Sequence, residues 1–295
     1  MYCEICGNTN VEVIFDDYIR DGALGTLTKD KYKMYQCQSC KTIWHKHGVD
    51  SNLDFYESKE YRDKLEGTAE VLDYYRLHDF EVLDKFIYCG TTIFRHKNIA
   101  DIGCGGGGFL DFLSGVGKNI VAVEPSAEYR MSLKERGYYP YAYMKDAQKD
   151  WKGKLDVITS FDVIEHVDNT VDFMKDVYDL LGDGGKGIIG TPTDCPIMRR
   201  LLGKEYEQSL LYSYQHNWIL SKESLEICCR KAGFSKVEIR TIQRYGMSNM
   251  IAWLNEKKPM GHISYDFVSE TLDRVYKSEL EKNDLGDYII AYVEK

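Results

Sequence analysis

The sequence predicts an α/β fold, an open sheet whose strands alternate with helices, with a small cysteine module ahead of it. Three observations carry that expectation. Apolar stretches that read as strands close on acids at Asp101 and Glu124, with a helical pattern between them. Residues 99–110, IADIGCGGGGFL, end a strand in an acid and then turn almost entirely on glycine. Two C-x2-C pairs stand near the amino terminus, Cys3 with Cys6 and Cys37 with Cys40. At 295 residues and 43% hydrophobic content, the chain can bury one large core plus a smaller module.

The amino-terminal element, residues 1–50, is read from its cysteines. The two pairs are separated by 30 residues, a spacing that presents four thiolates to one tetrahedral zinc, whereas the other five of the nine cysteines are scattered. Glycine follows the first pair, as such a turn prefers, but Lys41 follows the second. His45 and His47 read as surface or packing residues, because four cysteines already complete a zinc shell. Residues 1–60 hold seven Lys/Arg against ten Asp/Glu, and four thiolates around zinc add further negative charge. That is a poor face for phosphate, so the module reads as structural or as a docking piece. Net charge is −9 overall, which argues against nucleic acid as a partner. No apolar run is long enough to span a membrane and no signal peptide is apparent, so a cytoplasmic location is expected.

Residues 51–95 form a linker. Over 61–88 the pattern is helical, with Leu72, Tyr75, Leu83 and Phe86 among its apolar positions and no proline. Tyr74 and Tyr75 read as core or rim.

Next comes the glycine turn. Gly103, Gly105 and Gly108 match the G-x-G-x-x-G spacing of dinucleotide sites, which keeps a dehydrogenase in view. Asp101 decides against it, since a carboxylate at the strand end repels the diphosphate that would otherwise rest on the helix N-terminus. S-adenosylmethionine carries no phosphate and presents two cations, an ammonium and a sulfonium. Glu124 closes the next strand 23 positions after Asp101, where an acid can accept hydrogen bonds from both ribose hydroxyls. A further strand opens at Asp156, and residues 161–167 form the rim beyond its carboxyl end.

DIGCGGGG, VAVEP, FDVIEHV and LLGDGGKGIIGTPT, in this order and at these intervals, resemble the class I S-adenosylmethionine-dependent methyltransferases. The similarity is greatest to the branch containing the ubiquinone-biosynthesis O-methyltransferases and covers about residues 70–245. It implies a Rossmann-like domain over residues 96–245, a mostly parallel seven-stranded sheet with an antiparallel last strand, and a helix at 51–95 closing over the cofactor. It also implies cofactor contacts from Asp101, Gly103, Cys104, Gly105, Gly107, Glu124, Pro125, Asp146, Ala147, Phe161 and Asp162, with Asp146 beside the adenine amino group. Related enzymes, nucleotide-sugar C-methyltransferases among them, carry amino-terminal zinc modules.

Beyond the rim, Asp168 or Asn169 can cap a helix ended by Gly182, and Ile188 and Ile189 make a short strand. Ser221 can cap a helix with Leu225, Cys228, Cys229 and Ala232 on one face, ended by Gly233, so those cysteines read as core. Residues 246–286 insert two helical stretches, 247–257 and 264–280, before a final strand in 287–295. Such an insertion shapes an acceptor pocket or forms a homodimer surface, and Trp253 with Phe267 would serve either.

Methyl transfer is an in-line displacement at an activated carbon, so positioning supplies much of the rate and a base is needed only for a protonated hydroxyl. His166, His216 and Glu165 are the candidates, imidazole being suited to proton transfer near pH 7. The expected function is O-methylation of a small-molecule hydroxyl, a sugar or sugar nucleotide being the first guess, with a structural Zn2+. An RNA methyltransferase using its ribbon and a non-catalytic S-adenosylmethionine-binding subunit are the rivals.

Overall fold

A computed structural model of the chain describes residues 1–45 and 71–295. His47, the 61–70 portion of the expected linker helix and the side chain of Leu72 lie outside the described residues. The helix is present from there on as α1, Val71–Cys89. Its inward positions include Tyr74 and Val82, while Leu83, expected on the apolar face, is exposed.

The main sheet is built from β4 (Asn98–Ile102), β5 (Asn119–Val123), β6 (Tyr139–Tyr141), β7 (Leu155–Phe161), β8 (Leu181–Pro192), β10 (Lys236–Ile242) and β11 (Tyr288–Glu294). Its seven strands run in the order β10-β11-β8-β7-β4-β5-β6. β4 through β8 pair in parallel, and β11 is antiparallel to both β8 and β10, as expected. β4 and β7 are buried along nearly their whole length, the signature of strands covered on both faces. Covering helices include α2 (Gly108–Leu113), α3 (Ala127–Glu135), α4 (Met144–Trp151), α5 (Thr170–Leu180), α6 (Pro196–Leu202) and α7 (Lys222–Ala232).

Local signals set most boundaries. Asn169, rather than Asp168, caps α5, its Oδ1 accepting from the amides of Val171 at 2.9 Å and Asp172 at 3.0 Å. Ser221 caps α7 and Gly233 ends it at φ +114°, with Cys228 and Cys229 in the core. β8 is much longer than the short strand expected at Ile188 and Ile189, and it starts at Leu181 instead of after a helix ended by Gly182. The reason is close approach: a Cβ at Gly185 would lie 2.9 Å from the carbonyl oxygen of Leu155, so glycine lets β8 run alongside the start of β7.

A second sheet holds β1 (Val11–Asp17), β2 (Tyr32–Cys37), β3 (Ile43–His45) and β9 (Trp218–Ile219), in that order. β9 belongs by sequence to the larger part of the chain, yet it pairs with β3 through Ile43 with Ile219 and Trp44 with Trp218. The cysteines Cys3, Cys37 and Cys40 share one buried cluster with Trp218, Leu225 and Cys228. The division at residue 50 is therefore one of sequence, not of space.

The insertion forms α8 (Met247–Glu256) and α9 (Glu270–Lys282). α9 begins later than the expected residue 264 because Ser269 caps it, accepting from Leu272 N at 3.2 Å. Trp253 is only 2% exposed and packs edge-on against Tyr206, so it cannot serve as a dimer surface; Phe267, at 67%, is open to solvent. No described helix is long and apolar enough to cross a membrane.

Candidate functional site

The glycine turn leaves β4 with Gly103, Gly105 and Gly107 at φ of +73°, +55° and +85°, a left-handed sequence that only glycine follows without strain. α1 lies over it. The Tyr74 hydroxyl donates to Cys104 O at 3.3 Å, and a Cβ at Gly105 would come within 2.5 Å of the Tyr74 ring. Tyr75 donates to Gly106 O at 3.4 Å. The two tyrosines thus sit on the loop itself.

Asp101 and Glu124 stand at the carboxyl ends of neighbouring parallel strands, and both are buried. Asp101 accepts from Thr159 Oγ1 at 2.7 Å. Burial raises its pKa, with the Lys85 ammonium opposing that rise, so a cationic ligand would be stabilised beside it. Glu124 accepts from Gly105 N and Ser126 N, each at 2.9 Å, which ties the acid to the loop it serves. Cys104 is buried, and its thiol is pushed well above the usual range by that burial. The Pro125 carbonyl accepts from Arg130. Asp146 lies in the first turn of α4, paired with Lys149 at 2.7 Å, and Ala147 is buried beside it. Phe161 ends β7. Asp162 follows in the left-handed region at φ +58°, 3.6 Å from Arg244 Nη1. These residues fit S-adenosylmethionine: a loop without side chains, an acid for the ribose and a buried acid for a cation.

The turn after β7 carries Glu165 and His166, and the segment 213–218 is bonded along it. Trp218 N donates to Glu165 O at 3.1 Å and Asn217 Nδ2 to His166 O at 2.9 Å. His166 Nδ1 lies 2.8 Å from Gln215 O. A carbonyl only accepts, so Nδ1 carries the proton and Nε2 of the neutral ring is the basic atom. The His216 ring stands edge-on to it, with centroids 4.8 Å apart. Burial, reinforced by the charges of His166 and Arg20, lowers the His216 pKa well below its ordinary value. Glu165 is 1% exposed, with Oε2 accepting from Thr191 Oγ1 at 2.9 Å and Oε1 3.9 Å from His166 Nε2. Ligand atoms of Glu165, His166 and His216 lie within 4.8 Å of one another, close enough to hold a metal ion.

Burial, then the nearby Asp162 charge, raises the Glu165 pKa from 4.5 to about 8. A raised folded-state pKa contributes stability that is full below the unfolded value and is lost as pH rises through the folded one. The melting temperature should therefore fall between pH 5 and pH 8.5, and Glu165→Gln, which cannot ionise, should flatten that fall. An unchanged slope in scanning calorimetry would mean Glu165 is already ionised in the folded protein.

Two cavities meet at the histidines. One, of about 290 Å³, lies under α1 and is bordered by Lys85, Gly103, Phe161 and His166. The other, of about 310 Å³, runs from His216 to the insertion and is bordered by Tyr206, Trp218, Tyr245, Met250 and Trp253. Arg20, His216 and Arg244 border both. Arg244 had no signal in the sequence: it follows β10, which the antiparallel β11 sets running in the same direction as β7, so that it reaches the end of β7 and lies 3.5 Å from Asp287 and over the Tyr288 ring.

The four cysteines converge as expected of a ligand set, with Cys3 Sγ 3.6 Å from Cys40 Sγ and Cys6 Sγ 3.5 Å from Cys37 Sγ. Tetrahedral zinc with bonds of 2.3 Å holds sulfurs about 3.8 Å apart, so the donor set fits Zn2+. Gly7 at φ +80° and Lys41 at φ +58° make the same turn after each pair, donating to Cys3 O at 2.7 Å and Cys37 O at 2.9 Å. Lysine thus keeps the knuckle that glycine would favour. His45 is no ligand; it is buried in β3 against Tyr32 and Tyr214.

Residues 75–239 match the methyltransferase domain family. A ubiquinone biosynthesis O-methyltransferase of Nitrosococcus oceani is 27% identical over 168 residues, which cover 53% of this chain and 71% of that protein. The mitochondrial enzyme of the same name from Rattus norvegicus is 26% identical, over 46% of this chain and 44% of its own. Among solved structures, an S-adenosylmethionine-dependent methyltransferase from Archaeoglobus fulgidus superposes with a TM-score of 0.50 at 18% identity, covering 80% of this chain and 98% of that one. A chain of the complex between the Haloferax volcanii Trm112 methyltransferase activator and a methyltransferase gives 0.51 at 11%, covering 84% and 99%. At these identities the structures speak for the fold alone.

Proposed function

Given that the chain belongs to the methyltransferase domain family and is a class I S-adenosylmethionine-dependent methyltransferase, we propose that it methylates a hydroxyl of a small molecule, with His166 as the base. The observation that carries this reading is the His166–His216 pair at the junction of the two cavities. S-adenosylmethionine would be held by the glycine turn, with Glu124 for its ribose, Asp146 and Ala147 for its adenine and Asp101 for its cationic end, and it would supply an activated methyl group. The acceptor enters from the insertion side. The acceptor oxygen would receive the methyl from the bound cofactor, the C–S electron pair staying on sulfur, while His166 Nε2 would take the hydroxyl proton. Glu165, buried and holding its own proton near neutral pH, orients the turn instead of serving as the base. His216, whose proton affinity is depressed, orients the acceptor.

The acceptor cavity favours a planar, largely apolar molecule, since aromatic and thioether side chains form much of its wall. Of its two cations, Arg20 and Arg244, the half-buried Arg244 is already opposed by Asp162 and Asp287, which reduces the charge available to the diphosphate of a sugar nucleotide. The matched relatives are named as O-methyltransferases of ubiquinone biosynthesis, which supports an oxygen acceptor. RNA remains disfavoured by the net charge of −9. Radiolabelled methyl transfer to catechol, compared with UDP-glucose, tests the acceptor class; label appearing only in the nucleotide sugar would overturn it. A second reading rests on the clustering of Glu165, His166 and His216, which could hold a divalent cation against the acceptor oxygen. Turnover that requires added Mg2+ after chelation would favour that reading.

Glu124→Ala should weaken S-adenosylmethionine binding by about 1.5–3 kcal/mol, the worth of hydrogen bonds to a charged group. Calorimetry checks it, and unchanged affinity would remove Glu124 from the site.

A further inference from the structure

Between β1 and β2 the chain makes a loop, residues 19–28, that reaches away from the cysteines to the histidine pair. The loop is fixed internally: Asp21 N donates to Thr26 O at 3.1 Å and Ile19 N to Thr28 Oγ1 at 3.2 Å. It is laced to the segment before His216, with Arg20 N donating to Tyr212 O at 3.0 Å and Tyr214 N to Arg20 O at 2.8 Å. At the centre is Gln215, 6% exposed, whose side-chain amide is engaged at both ends. Its Oε1 accepts from Gly22 N at 3.1 Å and Ser213 Oγ at 2.8 Å, and its Nε2 donates to Asp21 Oδ1 at 3.2 Å. The main-chain carbonyl of the same residue holds His166 Nδ1 at 2.8 Å. Arg20 borders both cavities.

We propose that the amino-terminal cysteine module is a working part of the active site: its loop 19–28 grips Gln215 and so fixes the His166 ring, and it presents Arg20 to the acceptor. Gln215 and Asp21 are positioning residues, acting through His166, and Arg20 faces the acceptor directly. The inference rests on the reading of His166 and His216 as the acceptor end of the site. The physical link is short. A buried amide that bonds the loop on one side and carries the histidine's partner carbonyl on its own backbone converts any displacement of the loop into a displacement of the ring, and small misplacements of reacting groups can cost about 10²-fold in rate.

The test swaps the clamp without removing it. In full-length, metal-loaded protein, Gln215→Glu sets a carboxylate against Asp21, and adding Asp21→Asn restores a donor for it. Nitrogen NMR of the imidazoles, which needs no acceptor, should show His166 as the Nδ1-protonated tautomer in the wild type, a mixture in Gln215→Glu, and the wild-type form again in the double variant. With catechol as the acceptor, kcat should fall about 10²-fold in the single variant and return to within severalfold in the double. S-adenosylhomocysteine affinity, measured by calorimetry, should stay the same throughout. Arg20→Met should raise KM for catechol. If Gln215→Glu does not fold, Asp21→Ala, which removes the amide's acceptor, gives the same tautomer readout. A His166 signal and kcat that stay at wild-type values in the folded clamp variants would overturn the inference. Failure of the wild type to bind S-adenosylhomocysteine or transfer methyl would instead indict the functional reading on which it rests.

Discussion

His166→Ala should lower turnover by roughly 10²- to 10⁴-fold, the range a positioned base contributes, while S-adenosylmethionine affinity holds. The argument is geometric. Nδ1 is committed to Gln215 O at 2.8 Å, so the neutral ring presents Nε2 to the junction of the cavities. Glu165 is spoken for by Thr191, and its raised pKa keeps it protonated over the range in which a base would work. His216 lies beside His166 but binds a proton too weakly to compete. Loss of His166 should also remove the acidic limb of the pH–rate profile, whereas His216→Ala should mainly raise KM and keep that limb. Because His166 also ties two segments together, its variant should be compared below its melting temperature. Near-native turnover in His166→Ala would mean that positioning alone drives the reaction or that the acceptor arrives already ionised.

Cys37→Ser should have an equally large effect by a different route. Metal analysis should find one zinc per chain in the wild type and none in the variant. Cys3, Cys37 and Cys40 are buried in one cluster with Trp218, Leu225 and Cys228, Cys6 packs against it, and β3 pairs with β9, so losing the metal should disorder more than the first 45 residues. The expected split is between ligands. Asp101 lies near the end of β4, the glycine turn follows it and Glu124 follows β5, all in the main sheet and not in the small one, and S-adenosylhomocysteine should still bind within severalfold. Methyl transfer should fall to background, since loop 19–28 and β9 border the acceptor cavity. Full turnover by metal-free Cys37→Ser would show that the small sheet is a passenger.

What could be read from the sequence was what is local in it. The glycine turn and its acids fall within 24 residues, and each C-x2-C pair makes its knuckle by itself. Ser221 and Gly233 mark the ends of α7 by capping chemistry alone. The features that escaped depend on pairing across long separations. β9 is two residues long and carries no period; only its register with Ile43 and Trp44 makes it a strand. Arg244 and Gln215 acquire their roles from partners that the fold brings to them: Asp162 and Asp287 for the first, Asp21 and Gly22 for the second. Trp253 looked equally suited to a surface, because helical spacing does not say which side of an insertion faces the protein. β8 is longer than expected because Gly182 reads as the end of a helix, whereas it lies within the strand and the glycine at 185 lets that strand approach β7.

The most direct measurement is a crystal structure of the complex with S-adenosylhomocysteine. The ribose hydroxyls should lie on Glu124, the adenine should face Asp146 and Ala147, and the sulfur should point toward the junction of the cavities beside His166 and His216. A cofactor whose sulfur points away from the two histidines, or whose ribose is held elsewhere than on Glu124, would contradict the account.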